Sequence, residues 1–431
     1  MLEETRCEKS NGNYLVINGG KPLKGELRVN GAKNAALPIM AGAILAPGNI
    51  TLERVPDISD VRVMTQLLRH LGATVESDNN VVSIDTQDIN NTKAPYSLVK
   101  KLNASFDITG ALVARFGEAT VPLPGGCVIG TRAVDLHLAG FEALGCKVEQ
   151  LSGGFIQIRA ETLMGTRFYF SKTSVGATKN VMMAACLARG KTILENVARE
   201  PEVVDLANFL NTCGAQIAGH GTARIEIRGV KQMIGNGIEY SIIPDRIEAG
   251  TYILAAAVTG GKLKLIDISP DYLKIFLRKL RKANQEVITG ENFIEVRGRK
   301  PIHPMGAVIT EPYPGFPTDL QPPVVAFLCL EKGVSYVKEK IFNMRFNYVN
   351  ELRRMGADIE LDGRTAIVRG VKELLGAPVD APDIRAGGAL IIAALAARGN
   401  SEIHGMQYID RGYENIENRL GNLGADIRRV K

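Results

Sequence analysis

The segment Leu123-Pro-Gly-Gly-Cys127-Val-Ile-Gly-Thr-Arg132-Ala-Val-Asp135-Leu-His137 sets a thiol, a guanidinium, a carboxylate and an imidazole close together. The glycines and the proline of its first half leave the backbone too free for a helix or strand, so it reads as a loop. An acid or nucleophile (Cys127) beside an anion binder (Arg132) on a loop suits a lid over a charged substrate. A glycine-rich turn with a passenger cysteine accounts for the segment equally well when it is taken alone. Further groups able to do chemistry lie at Gly31-Ala-Lys33-Asn34, Ser174-Val-Gly176, Pro317-Thr-Asp319 and Ile384-Arg385. The elements that hold these groups decide between the two readings.

A helix end followed by a strand recurs along the chain: Gly72-Ala-Thr-Val, Gly145-Cys-Lys-Val, Gly214-Ala-Gln-Ile, Asn284-Gln-Glu-Val, Gly356-Ala-Asp-Ile and Gly424-Ala-Asp-Ile. Glycine, or asparagine in the fourth copy, stands where a helix closes in the left-handed conformation. The intervals of 73, 69, 70, 72 and 68 residues are too even for chance, so the chain is read as six repeated units. With the same period come helices rich in Ala and Gly, near residues 35–45, 108–116, 177–187, 249–258, 320–330 and 386–397. They are apolar nearly all round, which marks buried helices. A Gly turn and a strand follow most of them, as in Gly190-Lys-Thr-Ile-Leu. The predicted class is α/β: two domains of three units each, with strands outside and helices inside. Inner helices running parallel would gather their N-termini into one positive face per domain. Most of the candidate chemistry sits at those helix starts, and two such faces meeting would form an anion-binding cleft.

Composition narrows the function classes. Apolar residues make up 45% and charged residues 23%, as in soluble globular proteins. A net charge of +6 without a basic run excludes a nucleic-acid stripe and suits small anionic substrates. Residues 1–13 are polar and of mixed charge, with no secretory signal, and no apolar run approaches the ~20 residues that span a bilayer. The cysteines form no CxxC pair and no regular framework, which points to a reduced, cytoplasmic protein. Cys186 and Cys329 fall in apolar helical patterns and are expected in the core. The histidines are too scattered to hold a metal, so none is expected.

From about Leu15 to the C-terminus the sequence resembles the enolpyruvyl transferases, and among them the branch acting on UDP-N-acetylglucosamine. The resemblance is carried by Gly31-Ala-Lys-Asn-Ala-Ala-Leu-Pro, the Cys127 segment, Ser174-Val-Gly-Ala-Thr, Ala198-Arg-Glu-Pro-Glu-Val-Val-Asp, Pro244-Asp-Arg-Ile-Glu-Ala-Gly-Thr, Pro314-Gly-Phe-Pro-Thr-Asp and Ile409-Asp-Arg-Gly-Tyr-Glu. It implies an inside-out α/β barrel. Residues 1–13 would be a polar tail, 33–241 the catalytic domain with the Cys127 loop, and 14–32 plus 242–431 a second, discontinuous domain. It implies transfer of enolpyruvyl from phosphoenolpyruvate to the 3-hydroxyl of UDP-N-acetylglucosamine with release of phosphate, the first committed step of peptidoglycan synthesis. No cofactor, nucleic acid or membrane enters, and the protein is read as a monomer. By the same resemblance Cys127 is the acid at C3 of phosphoenolpyruvate and can form a covalent adduct with it. Asp319 takes the hydroxyl proton, and Lys33 and Arg411 complete the catalytic set. Lys33, Asn34, Arg132, Arg385 and Arg411 match phosphoenolpyruvate contacts. Asn103, Arg132, Ala133, Val134, Asp135, Leu136, Lys172, Thr173, Ser174, Val175, Asp319 and Ile341 match nucleotide-sugar contacts. Glu200, Glu202, Arg246 and Glu248 match motifs read as ion pairs that hold the cleft and hinge. The shikimate branch shares the fold, but the cysteine loop is typical of the UDP-sugar branch.

Other readings of these residues stay open at this point. Asp319 also suits a helix N-cap, and Lys33 a solvated surface lysine. Asn103 stands where the family has an Arg, and Ala133 where a Pro packs against the uracil. Phe342-Asn343-Met344-Arg345-Phe differs from the usual Glu-Asn-Arg-Phe. Pro322 and Pro323 replace ordinary helix formers, which predicts a kinked helix start. These departures cluster on the acceptor side. They keep alive another nucleotide acceptor such as UMP, as in nucleoside-antibiotic pathways, or a non-catalytic paralogue.

Overall fold

The computed structural model describes residues 13–102, 106–123 and 134–430. Its repeating logic is set at the helix ends. Gly72, Gly145, Gly214, Gly356 and Gly424 have φ values between 91° and 109°, and Asn284 has 66°. That left-handed turn stops each helix and sends the chain into the next strand. The single asparagine copy is the other residue type that tolerates it.

The inner helices are Lys33–Gly42, Ile108–Phe116, Val175–Ala185, Arg246–Val258, Gln321–Leu328 and Ile384–Ala396. Every residue of Arg246–Val258 is buried. Glycines let these helices touch. A Cβ on Gly110 would collide with the Asn180 carbonyl, one on Gly250 with Leu320, and one on Gly388 with the Tyr413 hydroxyl.

Among the described residues, five four-stranded sheets and one three-stranded sheet surround them. In a typical unit Lys191–Glu195, Arg224–Arg228 and Gln216–Ala218 pair antiparallel, and Arg167–Tyr169 adds a parallel strand. A parallel pair needs a crossover, and the inner helix supplies it. In the sheet of Glu118–Pro122, Lys147–Leu151 and Phe155–Arg159 the parallel strand shrinks to a single bridge, Lys93 to Thr120.

The chain passes twice between the halves. Lys24–Arg28 pairs with Lys262–Ile266, whereas Ile238–Ser241 pairs with Asn49–Glu53. The two passages are bonded to each other: Ala32 N donates to Ile243 O at 2.7 Å, and Asp245 N to Asn30 O at 2.8 Å. Two hydrophobic cores result. One runs from Ala32 to Ile242; the other joins Leu15–Val29 to Ile247–Leu423. Cys186 and Cys329 are fully buried, one in each. Pro322 and Pro323 kink no helix interior. They occupy the first turn of Gln321–Leu328, after a 3-10 turn at Thr318–Leu320. The N–H groups of a first turn have no partner within the helix, so proline removes none.

Candidate active site between the halves

Several helix starts converge where the halves meet. Lys33 opens Lys33–Gly42, Asp60 lies in the first turn of Ser59–Leu71, and Arg385 in the first turn of Ile384–Ala396. Asp319 sits in the 3-10 turn before Gln321–Leu328, and Arg411 follows the short helix Met406–Ile409. Asp60 accepts from Lys33 Nζ at 2.6 Å and from Arg411 Nε at 2.7 Å. Asp319 accepts from Arg345 Nη2 at 2.8 Å and Arg385 Nη2 at 2.9 Å. Asn34 Nδ2 reaches the same carboxylate at 3.5 Å from the opposite half.

Burial alone would push the Asp319 carboxyl up, but Arg385 and Arg345 hold it well below the usual carboxylate range. Asp60 is likewise held low: burial raises it, and Lys33 and Arg411 outweigh that. Burial lowers the Lys33 ammonium in spite of Asp60, and the nearby Arg385 and Arg411 lower it further. Four cations (Lys33, Arg345, Arg385, Arg411) thus gather around two carboxylates (Asp60, Asp319), with the buried Asp245 beside Lys33 and Arg385 as a third. The surplus positive charge favours an anionic ligand.

Polar contacts tie the halves together around this cluster. Arg246 Nε donates to Glu202 Oε1 at 2.9 Å, with both side chains buried. Tyr313 N donates to Glu200 Oε1 at 3.2 Å. Within the second half, beside the first passage, Asn30 N donates to Glu248 Oε2 at 2.9 Å. Glu414 Oε2 accepts from Asp57 N and from Asn80 Nδ2, each at 3.0 Å. Ser59 N donates to Asp410 O at 3.0 Å, beside the Asp60–Arg411 pair.

The nucleotide-sugar candidates form separate groups. Val134 precedes the helix Asp135–Ala143, and Asp135 and Leu136 lie in its first turn. Lys172 is exposed; Thr173 Oγ1 donates to Asn196 Oδ1 at 3.1 Å. Ser174 Oγ caps the helix that Val175 begins. These segments adjoin through His137, whose ring lies against Gly176 and whose Nδ1 is 3.0 Å from Asn180 Nδ2. Burial lowers His137 to about 4, so it is neutral at pH 7. Ile341 lies in the other half. Among the described residues no hydrogen bond or ion pair joins Val134–Leu136 or Lys172–Val175 to Asp319 or Ile341. Cys127, Arg132, Ala133 and Asn103 lie outside the described residues.

Two of the alternative readings are corrected. Asp319 caps no helix: Pro317 and Leu320 hold the N-cap positions, and the carboxylate is taken by arginines. Lys33 is not solvated, its side chain being 12% exposed. Sequence reasoning missed Asp60 as a site residue and passed over Arg345 inside a divergent motif. A carboxylate in a first helical turn reads as a partner of the helix dipole. Nothing local says that Asp60 meets a lysine and an arginine from distant segments.

The EPSP synthase (3-phosphoshikimate 1-carboxyvinyltransferase) family model matches residues 17–420. The chain is 48% identical over 418 residues to a UDP-N-acetylglucosamine 1-carboxyvinyltransferase of Geobacter metallireducens, covering 97% of this chain and 99% of that protein. It is 49% identical over 418 residues to UDP-N-acetylglucosamine 1-carboxyvinyltransferase 2 of Carboxydothermus hydrogenoformans, covering 96% and 99%. Among solved structures it resembles the enolpyruvyl transferase NikO from Streptomyces tendae, with a TM-score of 0.88 at 24% identity over 97% of this chain and 99% of that one. EPSP synthase from Acinetobacter baumannii gives a TM-score of 0.73 at 17% identity, over 97% and 100%. At these identities the structural likeness speaks to the fold. Matched over nearly its whole length by family and relatives alike, the chain belongs to the EPSP synthase family of enolpyruvyl transferases.

Proposed function

We propose that this enzyme transfers the enolpyruvyl group of phosphoenolpyruvate to the 3-hydroxyl of UDP-N-acetylglucosamine and releases phosphate, opening peptidoglycan synthesis. The observation that carries this reading is the 48% identity, over 97% of the chain, to a protein named for that activity. The cleft chemistry agrees with it. Phosphoenolpyruvate brings a phosphate and a carboxylate, and Lys33, Arg345, Arg385 and Arg411 gather around Asp60 and Asp319 where it would bind. Lys33, Asn34, Arg132, Arg385 and Arg411 are assigned to this substrate. The Val134–Leu136 and Lys172–Val175 segments, with Asn103, Arg132, Ala133, Asp319 and Ile341, are assigned to the nucleotide sugar.

In the addition step Asp319 takes the proton of the 3-hydroxyl as its oxygen bonds to C2 of phosphoenolpyruvate. Cys127 gives a proton to C3, so the methylene becomes a methyl and a phosphate-bearing ketal forms. In the elimination C3 loses a proton to the Cys127 thiolate, the C2–C3 double bond returns, and the C2–O bond to phosphate breaks as Asp319 returns its proton to the departing phosphate. Lys33, Arg132 and Arg411 stabilise the leaving anion. Asp319 is ionised at neutral pH, but its two arginines make it a poor base. A substrate carboxylate that draws Arg385 away raises its basicity at the moment of need. Phosphate competes in the same way with Asp60 for Lys33 and Arg411.

The division into residues 33–241 and 14–32 plus 242–431 belongs to the same proposal, supported by the two cores and two passages. So does a cytoplasmic monomer. Among the described residues no helix is long and apolar enough to cross a membrane. Phosphate release from phosphoenolpyruvate, compared with UDP-N-acetylglucosamine, UMP and shikimate 3-phosphate as acceptors, tests the reading. Release with UDP-N-acetylglucosamine alone is expected. Release with UMP instead would make the acceptor-side departures determinants of another substrate.

A further inference from the structure

Glu339 follows the strand Val334–Lys338 and is 1% exposed. A buried carboxylate is costly unless it is well bonded, and the four donors that reach this one are all neutral. Oε1 accepts from Thr310 Oγ1 at 2.8 Å, Ile341 N at 2.7 Å and Phe342 N at 3.1 Å. Oε2 accepts from Thr318 Oγ1 at 2.9 Å. Thr310 Oγ1 in turn accepts from Lys340 N at 2.9 Å. One side chain thus gathers three segments: the end of Ala307–Ile309, the 3-10 turn that carries Asp319, and the turn that carries Ile341. That last turn runs on to Arg345, whose guanidinium returns to Asp319. Asn343 and Met344 between them are exposed.

The Lys33–Asp60–Arg411 cluster has other anchors, at Ser59 and Glu414. Loss of Glu339 therefore acts first on the acceptor side and reaches the phosphoenolpyruvate side only through the Asp319–Arg385 pair. We infer that Glu339 is a positioning residue that locks the Ile341–Phe342 turn and the Thr318–Asp319 turn in one register, so that the acceptor's contact surface and the base that takes its proton stay aligned. The inference rests on the proposed acceptor.

Steady-state kinetics of the full chain with both substrates varied test it. Glu339→Ala strands four donors and is expected to raise KM for UDP-N-acetylglucosamine roughly tenfold and lower kcat, with KM for phosphoenolpyruvate changed less than about threefold. Glu339→Gln keeps an acceptor oxygen for three of the donors, and the Thr318 hydroxyl can turn to accept from the new amide. It is expected to bring the acceptor KM back to within about threefold of wild type. An unchanged acceptor KM in Glu339→Ala, or equal rises in both KM values without rescue by glutamine, overturns the inference. Should the alanine variant fail to fold, Thr310→Val is measured for the same split at smaller amplitude. Equal shifts or none there overturn the inference as well. A wild-type enzyme inactive with UDP-N-acetylglucosamine overturns the functional reading instead, and the inference with it.

Discussion

Asp319 is gripped by two guanidiniums and in the proposed reaction must still accept a proton, so its partners matter as much as the carboxylate. Asp319→Asn keeps the shape and removes the base; kcat is expected to fall roughly a hundredfold or more. Asp60 is the more buried of the pair, with 3% of its side chain exposed. Asp60→Asn leaves Lys33 and Arg411 without their counter-charge and is expected to cost about 3 kcal/mol at pH 7. The sign of its pH dependence follows from the depressed carboxyl. Stability from Asp60 is fully present above the unfolded value of about 4 and is lost as pH falls through the folded value. Denaturation curves of wild type and Asp60→Asn should therefore converge below about pH 4. A gap that does not change with pH contradicts the pairing. If Cys127 is the proposed acid, Cys127→Ser is expected to nearly abolish turnover at neutral pH, a hydroxyl being a far poorer acid than a thiol. Fosfomycin should alkylate Cys127 when nucleotide sugar is present, and an unmodified thiol by mass spectrometry contradicts the assignment.

The inner helices show what local sequence can and cannot carry. Gly72 and its counterparts revealed the repeat because a left-handed helix end is a local demand that almost only Gly or Asn meets. The all-round apolar runs revealed the buried helices for the same kind of reason. Their starts were legible too: Gly31-Ala-Lys33-Asn34, Ser174-Val-Gly176 and Ile384-Arg385 fall where three of these helices begin. Other contacts between distant segments left no local trace. Arg411 and Asp60 lie 351 positions apart, and Glu339 bonds to Thr310 from 29 positions away. Close helix packing gives its own prediction. Gly110→Ala forces a methyl against the Asn180 carbonyl and is expected to destabilise the protein by about 2 kcal/mol, read as a lower thermal midpoint. An unchanged midpoint would mean that the helices can separate at little cost.

At the scale of the molecule, the two bonded passages at Asn30 and Asp245 join the halves, and Glu248 is buried beside them. Burial, opposed by Arg419, pushes Glu248 up to about 7. The folded state therefore binds more protons than the unfolded state between about pH 4.5 and pH 7, and stability falls as pH rises through that window. Glu248→Gln should gain on wild type across the same range in thermal denaturation; parallel curves contradict the shift. The two-half architecture was legible from the repeat count and the Arg246–Glu202 pair from a motif match, whereas the Glu414 contacts with Asp57 and Asn80 emerge only in the folded chain. The central claim is that one cleft, built from both halves, adds the sugar hydroxyl to C2, protonates C3 and then eliminates phosphate. Its most direct test is the NMR spectrum of the product formed from phosphoenolpyruvate and UDP-N-acetylglucosamine in D2O. The account predicts an enolpyruvyl ether on the 3-oxygen with solvent deuterium in its methylene group. A methylene free of deuterium, or an ether on another oxygen, would contradict it.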